Sequence, residues 1–427
     1  MRTILLSVFF YALCSVFCFG QNVQNSKVEG TSFRKCGTYE VYQKQMATDS
    51  GYKFRREQVE AFVDSYVKEH PDYDDKTVIT IPVVVHIIYN GSSQNISNTR
   101  VTDQIAASNK DYAGTNTHSM QAFSTTLKAN TNIQFCLAKV DPSGHTTTGI
   151  TRTSTTVSDF SSLDYSERHT SQGGCDAWDV TKYFNIWVCN LGSSMCGYSE
   201  FPSSPLDGNY GSAINYLYFG TTGSSAPYNL GGTLTHEVGH CLNLYHTWGD
   251  DGGACSGTDY CNDTPNQADA TYGTNSGVVT DACTTTSPGI MYMDFMDYSD
   301  DINYANFTPN QVSRMQALFA TGGALVSLKS STVCSGNGIE EATEINNIDI
   351  YPSPSNGLIN VMFELSNHDN VTISVTNMIG QVVATVEKEN VTKVNVPIDL
   401  SGQSSGIYLV KIQSGNQTLT QKVSLIK

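Results

Sequence analysis

The stretch His236-Glu237-Val238-Gly239-His240 constrains this chain more than any other. Four residues is about one helical turn, so on a helix both imidazoles point to one side, where they can bind one metal ion. The intervening glutamate is then held beside the ion's remaining ligand. A third histidine, His246, stands six residues after His240. To bring it to the same ion the helix must stop and the chain must turn sharply. Asn243 occupies that turn, and asparagine is the residue after glycine that best tolerates left-handed backbone. Three histidines complete a zinc site with one open position for water. A lone histidine is more often a surface residue with satisfied hydrogen bonds, but three at this spacing outweigh that reading.

The elements around the motif alternate between strand and helix. Residues 77 to 90 (TVITIPVVVHIIYN) form a nearly continuous β-branched run, as suits a strand covered on both faces. A helix is expected over Val101 to Ala113, and short strands over Ile133 to Val140, Phe184 to Val188 and Ala213 to Phe219. The motif helix is expected over Leu234 to Leu244, followed by a turn-rich loop from Gly252 to Ser287. A last helix runs from Thr308 to Phe319, with Thr308 as its cap and Pro309 at its first position. Upstream, Val59, Phe62, Val63, Tyr66 and Val67 repeat at helical spacing within an otherwise polar segment. Beyond Gly322-Gly323 the texture changes to short alternating strands such as Val371, Ile373, Val375, which read as a separate β-sandwich.

Met1-Arg2 and the apolar run Thr3 to Phe19 read as a signal peptide, and no later stretch is long and apolar enough to span a membrane. Cys14 and Cys18 leave with it; in an exported chain the other, widely spread cysteines favour disulfides over a thiolate metal cluster. The formal charge of −16 excludes a nucleic-acid binder that works by neutralising phosphates. The expected organisation is a signal peptide over 1–20, a pro-segment over 21–76, a catalytic domain over 77–322, a linker over 323–345 and a β-sandwich over 346–427.

HEVGHCLNLYHTWGD, followed by FMDYSDD and FTPNQVSRM, resembles the metzincin metallopeptidases with their Met-turn, and most closely the pappalysin, or cytophagalysin, family. The likeness extends upstream through FNIWVCNLGSSMCGYSEFP and YNLGGTLT. It implies an α+β fold: a twisted mixed sheet carrying the active-site helix and its backing helices, with the β-sandwich beyond. By this resemblance His236, His240 and His246 bind zinc, Glu237 is the general base, Met296 lies under the metal site and Tyr298 stabilises the oxyanion. It also implies an edge strand around Cys196 to Phe201 that holds protein or peptide substrates as an added strand. The chain departs from the pattern at Asn243, where relatives have glycine, and at Cys241. Between Ser299 and Asn303 it lacks a family cysteine, and Ile302 stands where some relatives floor a basic pocket with an acid.

Asp250, Asp251, Asp259, Asp263 and Thr264 make the following loop dense in oxygen ligands; the resemblance implies structural calcium there, the alternative being a solvated acidic loop. Cys255 and Cys283, at either end of the same segment, are its expected disulfide. Arg34-Lys35-Cys36-Gly37 resembles the cysteine switch of matrix metallopeptidases, which implies that Cys36 occupies the zinc in a latent precursor; otherwise Cys36 is idle or paired elsewhere. IYPSPSNGLINV, ISVTNMIGQVV, LSGQSSGIYLVKI and KVSLIK resemble the type IX secretion sorting domain of Bacteroidetes, with the type IX machinery as partner and a secreted or cell-surface location. The resulting expectation is a secreted zinc endopeptidase made as a zymogen. The alternative is an inactive binding protein on the same fold, or an adhesin using exposed aromatics among Tyr351, Phe363 and Tyr408.

Overall fold

The fold is given by a computed structural model, which describes residues 36–70, 77–334, 345–414 and 417–427. The expected signal peptide, and Arg34 and Lys35 of the cysteine motif, lie outside the described residues.

The β-branched run forms β1 (Ile79–Tyr89), the centre of a six-stranded sheet. Its alternate residues sort to opposite faces, as a period of two requires. Ile81, Val83, Val85 and Ile87 enter the main core, while Val84 and Ile88 face separate clusters on the other side. β2 (Ile133–Leu137) pairs with the first half of β1 and β3 (Ile150–Ser154) with the second, both parallel. On the other side β1 pairs with β4 (Phe184–Cys189), and β4 with β6 (Gly211–Asn215), again parallel. The short β5 (Gly197–Ser199) closes this side as the antiparallel edge. The sheet is therefore mixed, and the edge falls within the segment expected to hold substrate.

Helix α3 (Asn98–Tyr112) buries Val101 and Ile105 in the main core beside α4 (Gly232–Cys241), the motif helix. α5 (Pro309–Ala317) starts with a full capping box, Thr308 and Gln311 satisfying each other's backbone N–H, with Pro309 at N1. Two helices precede the sheet. α2 (Ser50–Glu69) carries the expected periodic residues and sends Val59 and Val63 into the main core. α1 (Thr38–Thr48), which the sequence pattern did not suggest, has few apolar residues and buries only Thr38 and Val41.

The expected linker starts too early. Leu325 and Leu328, flanking and within α6 (Val326–Lys329), are buried in the main core, and Cys334 is bonded to Cys136 of β2. Residues 335–344 of that linker lie outside the described residues. The C-terminal region is all β: β7 (Ile345–Tyr351), β8 (Leu358–Asn377), β9 (Val382–Asp399), β10 (Gly406–Ser414) and β11 (Gln417–Leu425), the strands pairing antiparallel with one another. β8 pairs with β7 through its first half and with β10 through its second, with register shifts between. One core of alternating residues, including Val361, Phe363, Ile373 and Val410, serves both halves. Phe363 and Tyr408 are buried in it, which removes two of the three aromatics an adhesive face would use; Tyr351 is exposed.

Candidate metal centre

Every residue of α4 is buried. Its N-terminus is anchored from the Met296 segment, where the Asp301 carboxylate accepts the N–H groups of Leu230 and Gly232 at 2.8 and 3.1 Å. Its C-terminus turns as the sequence suggests. Asn243 has φ of 70°, the left-handed region, and Leu244 N–H reaches back to the Gly239 carbonyl at 3.0 Å. The turn carries the chain round so that His246 faces the two helix histidines.

The three imidazoles meet through their Nε2 atoms. His240 Nε2 lies 3.2 Å from His236 Nε2 and 3.1 Å from His246 Nε2. Each Nδ1 has an acceptor: the Phe295 carbonyl for His236 (2.7 Å), the Leu244 carbonyl for His240 (2.8 Å) and the Asp250 carboxylate for His246 (2.9 Å). With the Nδ1 protons committed outward, three Nε2 lone pairs converge on one point, an arrangement that repels itself unless a cation sits there. Burial and the neighbouring His246 push His240 well below the usual imidazole range, so it stays neutral. The donor set thus fits a divalent metal such as zinc.

The fourth donor is Cys36, whose thiol sulfur lies with the three ring nitrogens in a group whose atoms are all within 4.8 Å of one another. Among the described residues this is the one such group of His, Cys, Asp or Glu. Cys36 is buried, and Cys36 and Gly197 form a parallel β-bridge, Gly37 N–H donating to the Gly197 carbonyl at 2.9 Å. The edge of β5 is thereby occupied by the segment before α1. Thr38 completes the plug: its hydroxyl donates to Glu237 Oε2 at 3.0 Å and accepts Ser199 N–H at 2.9 Å. Sequence reasoning missed Thr38, although its place two residues after the cysteine was visible. Burial raises the Glu237 carboxyl to about 7. A Cβ at Gly197 would stand 2.9 Å from Glu237 Cγ and 3.1 Å from the Ala213 carbonyl, so any larger residue there would press on the Glu237 side chain.

Met296 is fully buried beneath the helix, and a Cβ on Gly239 would come within 2.5 Å of its sulfur. Gly239→Ala is expected to destabilise the fold by about 1–3 kcal/mol through this overpacking, read as a lower melting temperature and weaker metal retention. An unchanged melting temperature would show that Met296 swings aside freely. Tyr298 places its ring 5.6 Å from that of His236 and 5.0 Å from that of His246, and its hydroxyl reaches the Cys36 carbonyl at 3.4 Å. Ile302 is 54 % exposed.

The five residues expected to hold calcium do not form one group of converging ligand atoms among the described residues. Asp250 supports His246, four residues before it, and Asp251 accepts four backbone N–H groups of its own loop. Asp259 accepts from Cys261 N–H and the Thr264 hydroxyl, while Asp263 caps α5 through Thr308 and Asn310. Each carboxylate is engaged by hydrogen bonds, Asp263 across the fold to α5, and the structure does not show the five as one calcium site. Cys255 and Cys283 form a disulfide, as does the unforeseen pair Cys136 and Cys334. Among the described residues the expectation of disulfides is met by these two pairs.

α2 is held against the metal-site side of the molecule by charge as well as packing. Glu60 accepts from Arg56 Nη2 (2.7 Å), from Arg314 Nη2 (2.9 Å) and from the Tyr245 hydroxyl (3.0 Å). Burial would raise the Glu60 carboxyl, but the Arg314 and Arg56 guanidiniums override it and hold it at about 2, against an ordinary 4.5. A depressed carboxylate stabilises the docked state above its free pKa and loses that contribution as pH falls through the docked one. α2 is therefore expected to loosen progressively from about pH 4.5 toward 2. Hydrogen exchange of α2 amides across that window, compared with Glu60→Gln, checks this; equal pH dependence in both proteins would assign the loosening to other groups.

Residues 168–320 match the family model described as pregnancy-associated plasma protein-A, the M43 peptidases, and residues 349–427 match the secretion system C-terminal sorting domain. An extracellular metalloprotease of Colletotrichum graminicola is 33 % identical over 256 residues, which cover 56 % of this chain and 76 % of that protein. Among solved structures, a promirolysin variant from Tannerella forsythia is 40 % identical, with TM-score 0.65, covering 71 % of this chain and all of the other. Mature mirolysin from the same organism, in complex with a cleaved peptide, is 44 % identical, with TM-score 0.59, covering 61 % of this chain and 99 % of the other. With the histidine constellation, the Met296 turn beneath it and the sorting domain behind it, the chain belongs to the pappalysin family, as a metallopeptidase exported to the cell surface or beyond.

Proposed function

We propose that the chain is a zinc endopeptidase made as a latent precursor, its zinc held by His236, His240 and His246. In this reading residues 21–76 are the removable pro-segment. The observation that carries it is the convergence of the Cys36 thiol with three imidazole nitrogens whose opposite nitrogens are all hydrogen-bonded away. When bound, zinc supplies Lewis-acid polarisation of a peptide carbonyl and acidifies water at neutral pH. The chain's residues do the rest. Glu237, buried beside the site, takes a proton from the attacking water and returns it to the leaving amine. The Tyr298 phenol donates to the developing oxyanion. β5 receives the substrate backbone through Gly197 and Ser199, the groups that Gly37 and Thr38 engage in the precursor.

Three contacts support latency: Cys36 at the metal position, Thr38 on the base and Gly37 on the substrate strand. The wider match of promirolysin than of mature mirolysin is consistent with α1 and α2 being the part removed. Calcium is left out of this reading, since the residues expected to bind it are engaged separately. Casein hydrolysis by the processed protein should be abolished by a chelator and restored by stoichiometric zinc. Hydrolysis that persists in metal-free protein would overturn the reading.

A further inference from the structure

Arg314 of α5 is buried, with its guanidinium 5.0 Å from the ring centre of Tyr260 and 5.8 Å from that of Tyr245. Among the described residues its ion-pair partners are Glu60, at 2.9 Å, and Asp64, at 3.7 Å. Both belong to α2. Within the peptidase itself Arg314 donates to the Asn243 carbonyl at 3.3 Å. The nearby Asp259 carboxyl is turned to Thr264 and Cys261 instead. The Tyr245 hydroxyl donates to the same Glu60 oxygen that Arg56 engages. A carboxylate is thus received by a guanidinium and a phenol in an aromatic cup, and both carboxylates ion-paired with Arg314 among the described residues come from the pro-segment.

The cup adjoins the metal centre. Tyr245 precedes His246, and the Phe201 ring stacks on Tyr245 at 4.8 Å and meets His240 edge-on at 5.4 Å. Phe201 lies just beyond the substrate strand β5, and the pro-segment follows this line, from Gly37 on Gly197 to Arg56 on the Pro202 carbonyl. A peptide laid on β5 can follow it too.

Resting on the reading that the pro-segment is removed, we propose that its departure unmasks a carboxylate-binding subsite. In it Arg314 and Tyr245 favour substrates with an acidic side chain some residues from the cut bond. Removal of α2 leaves the Arg314 guanidinium beside the Tyr245 and Tyr260 rings without the carboxylates it pairs with, and a charge that loses such a partner gains from a replacement. A peptide carboxylate that replaces Glu60 regains charge-assisted hydrogen bonds, the stronger kind. The chain's charge of −16 works against acidic peptides at long range, so selection would arise from contact in the cup.

The test uses enzyme processed from the full chain and one cleavable peptide sequence carrying glutamate or glutamine at each position in turn. The ratio of kcat/KM within each glutamate–glutamine pair is read, so a general fall in activity does not mimic the effect. One position should favour glutamate by about tenfold, as charge-assisted hydrogen bonds allow. Arg314→Gln should bring that ratio to about one, and Tyr245→Phe should lower it in part. A ratio of one or less at every position, or a preference that survives Arg314→Gln unchanged, overturns the proposal. Should Arg314→Gln fail to fold, an unaltered ratio in Tyr245→Phe does the same. If wild-type enzyme cleaves none of the glutamine peptides, the peptidase reading fails first and the subsite with it.

Discussion

Glu237→Ala is expected to keep its metal and lose peptidase activity by about 10² to 10⁴. All three histidines should stay in place, because the Phe295 and Leu244 carbonyls and the Asp250 carboxylate that orient them remain. What disappears is the carboxyl proposed to move the proton. The variant should also lose the bond from Thr38, loosening the plug slightly without exposing a working site. Zinc content by elemental analysis, a melting curve and peptide turnover together check this. A folded, zinc-loaded variant with more than about a tenth of wild-type activity would remove Glu237 from the role of base.

Cys36→Ala should yield a precursor that cleaves a reporter peptide, or itself, without prior cutting of the pro-segment. The thiol and a catalytic water require the same fourth position, so removing one admits the other. Thr38 and Gly37 remain bonded to Glu237 and β5, which predicts partial rather than full release; adding Thr38→Ala should raise it further. Because Cys36 is buried, thiol reagents should act on the wild-type precursor slowly, at the pace of local opening. A Cys36→Ala precursor as latent as wild type would place the latch elsewhere. Two aspartates of the same segment are poor substitutes: Asp49 caps α2 and Asp64 faces Arg314.

Much of the fold could be read before any coordinates, wherever the information is local. The β-branched run at 77–90 became β1, Thr308-Pro309 became a capped helix start, and Asn243 took the left-handed turn that swings His246 toward its partners. Spacing and backbone preference act over a few residues, and they determine which groups share a helix face or a turn. α1 escaped notice because only Thr38 and Val41 of its eleven residues are buried, too few to leave a periodic trace.

What the sequence by itself determined, then, is the histidine constellation, the glutamate beside it and the order of the elements that carry them. Tertiary structure alone decided which distant groups meet there. Cys36 and His236 are 200 residues apart; the short motif around Cys36 suggested their meeting by resemblance, but no local spacing encodes the approach of one to the other. The same holds for Thr38 on Glu237, for Cys334 on Cys136 and for Glu60 on Arg314. Asp250 makes the contrast within a single loop. Read by composition it belonged with its acidic neighbours as a calcium ligand, yet four residues after His246 the backbone turns its carboxylate onto that imidazole. Composition counts ligand types, whereas coordination depends on where the backbone points them. That direction is set by packing between segments far apart in the chain, which leaves no local periodicity to read.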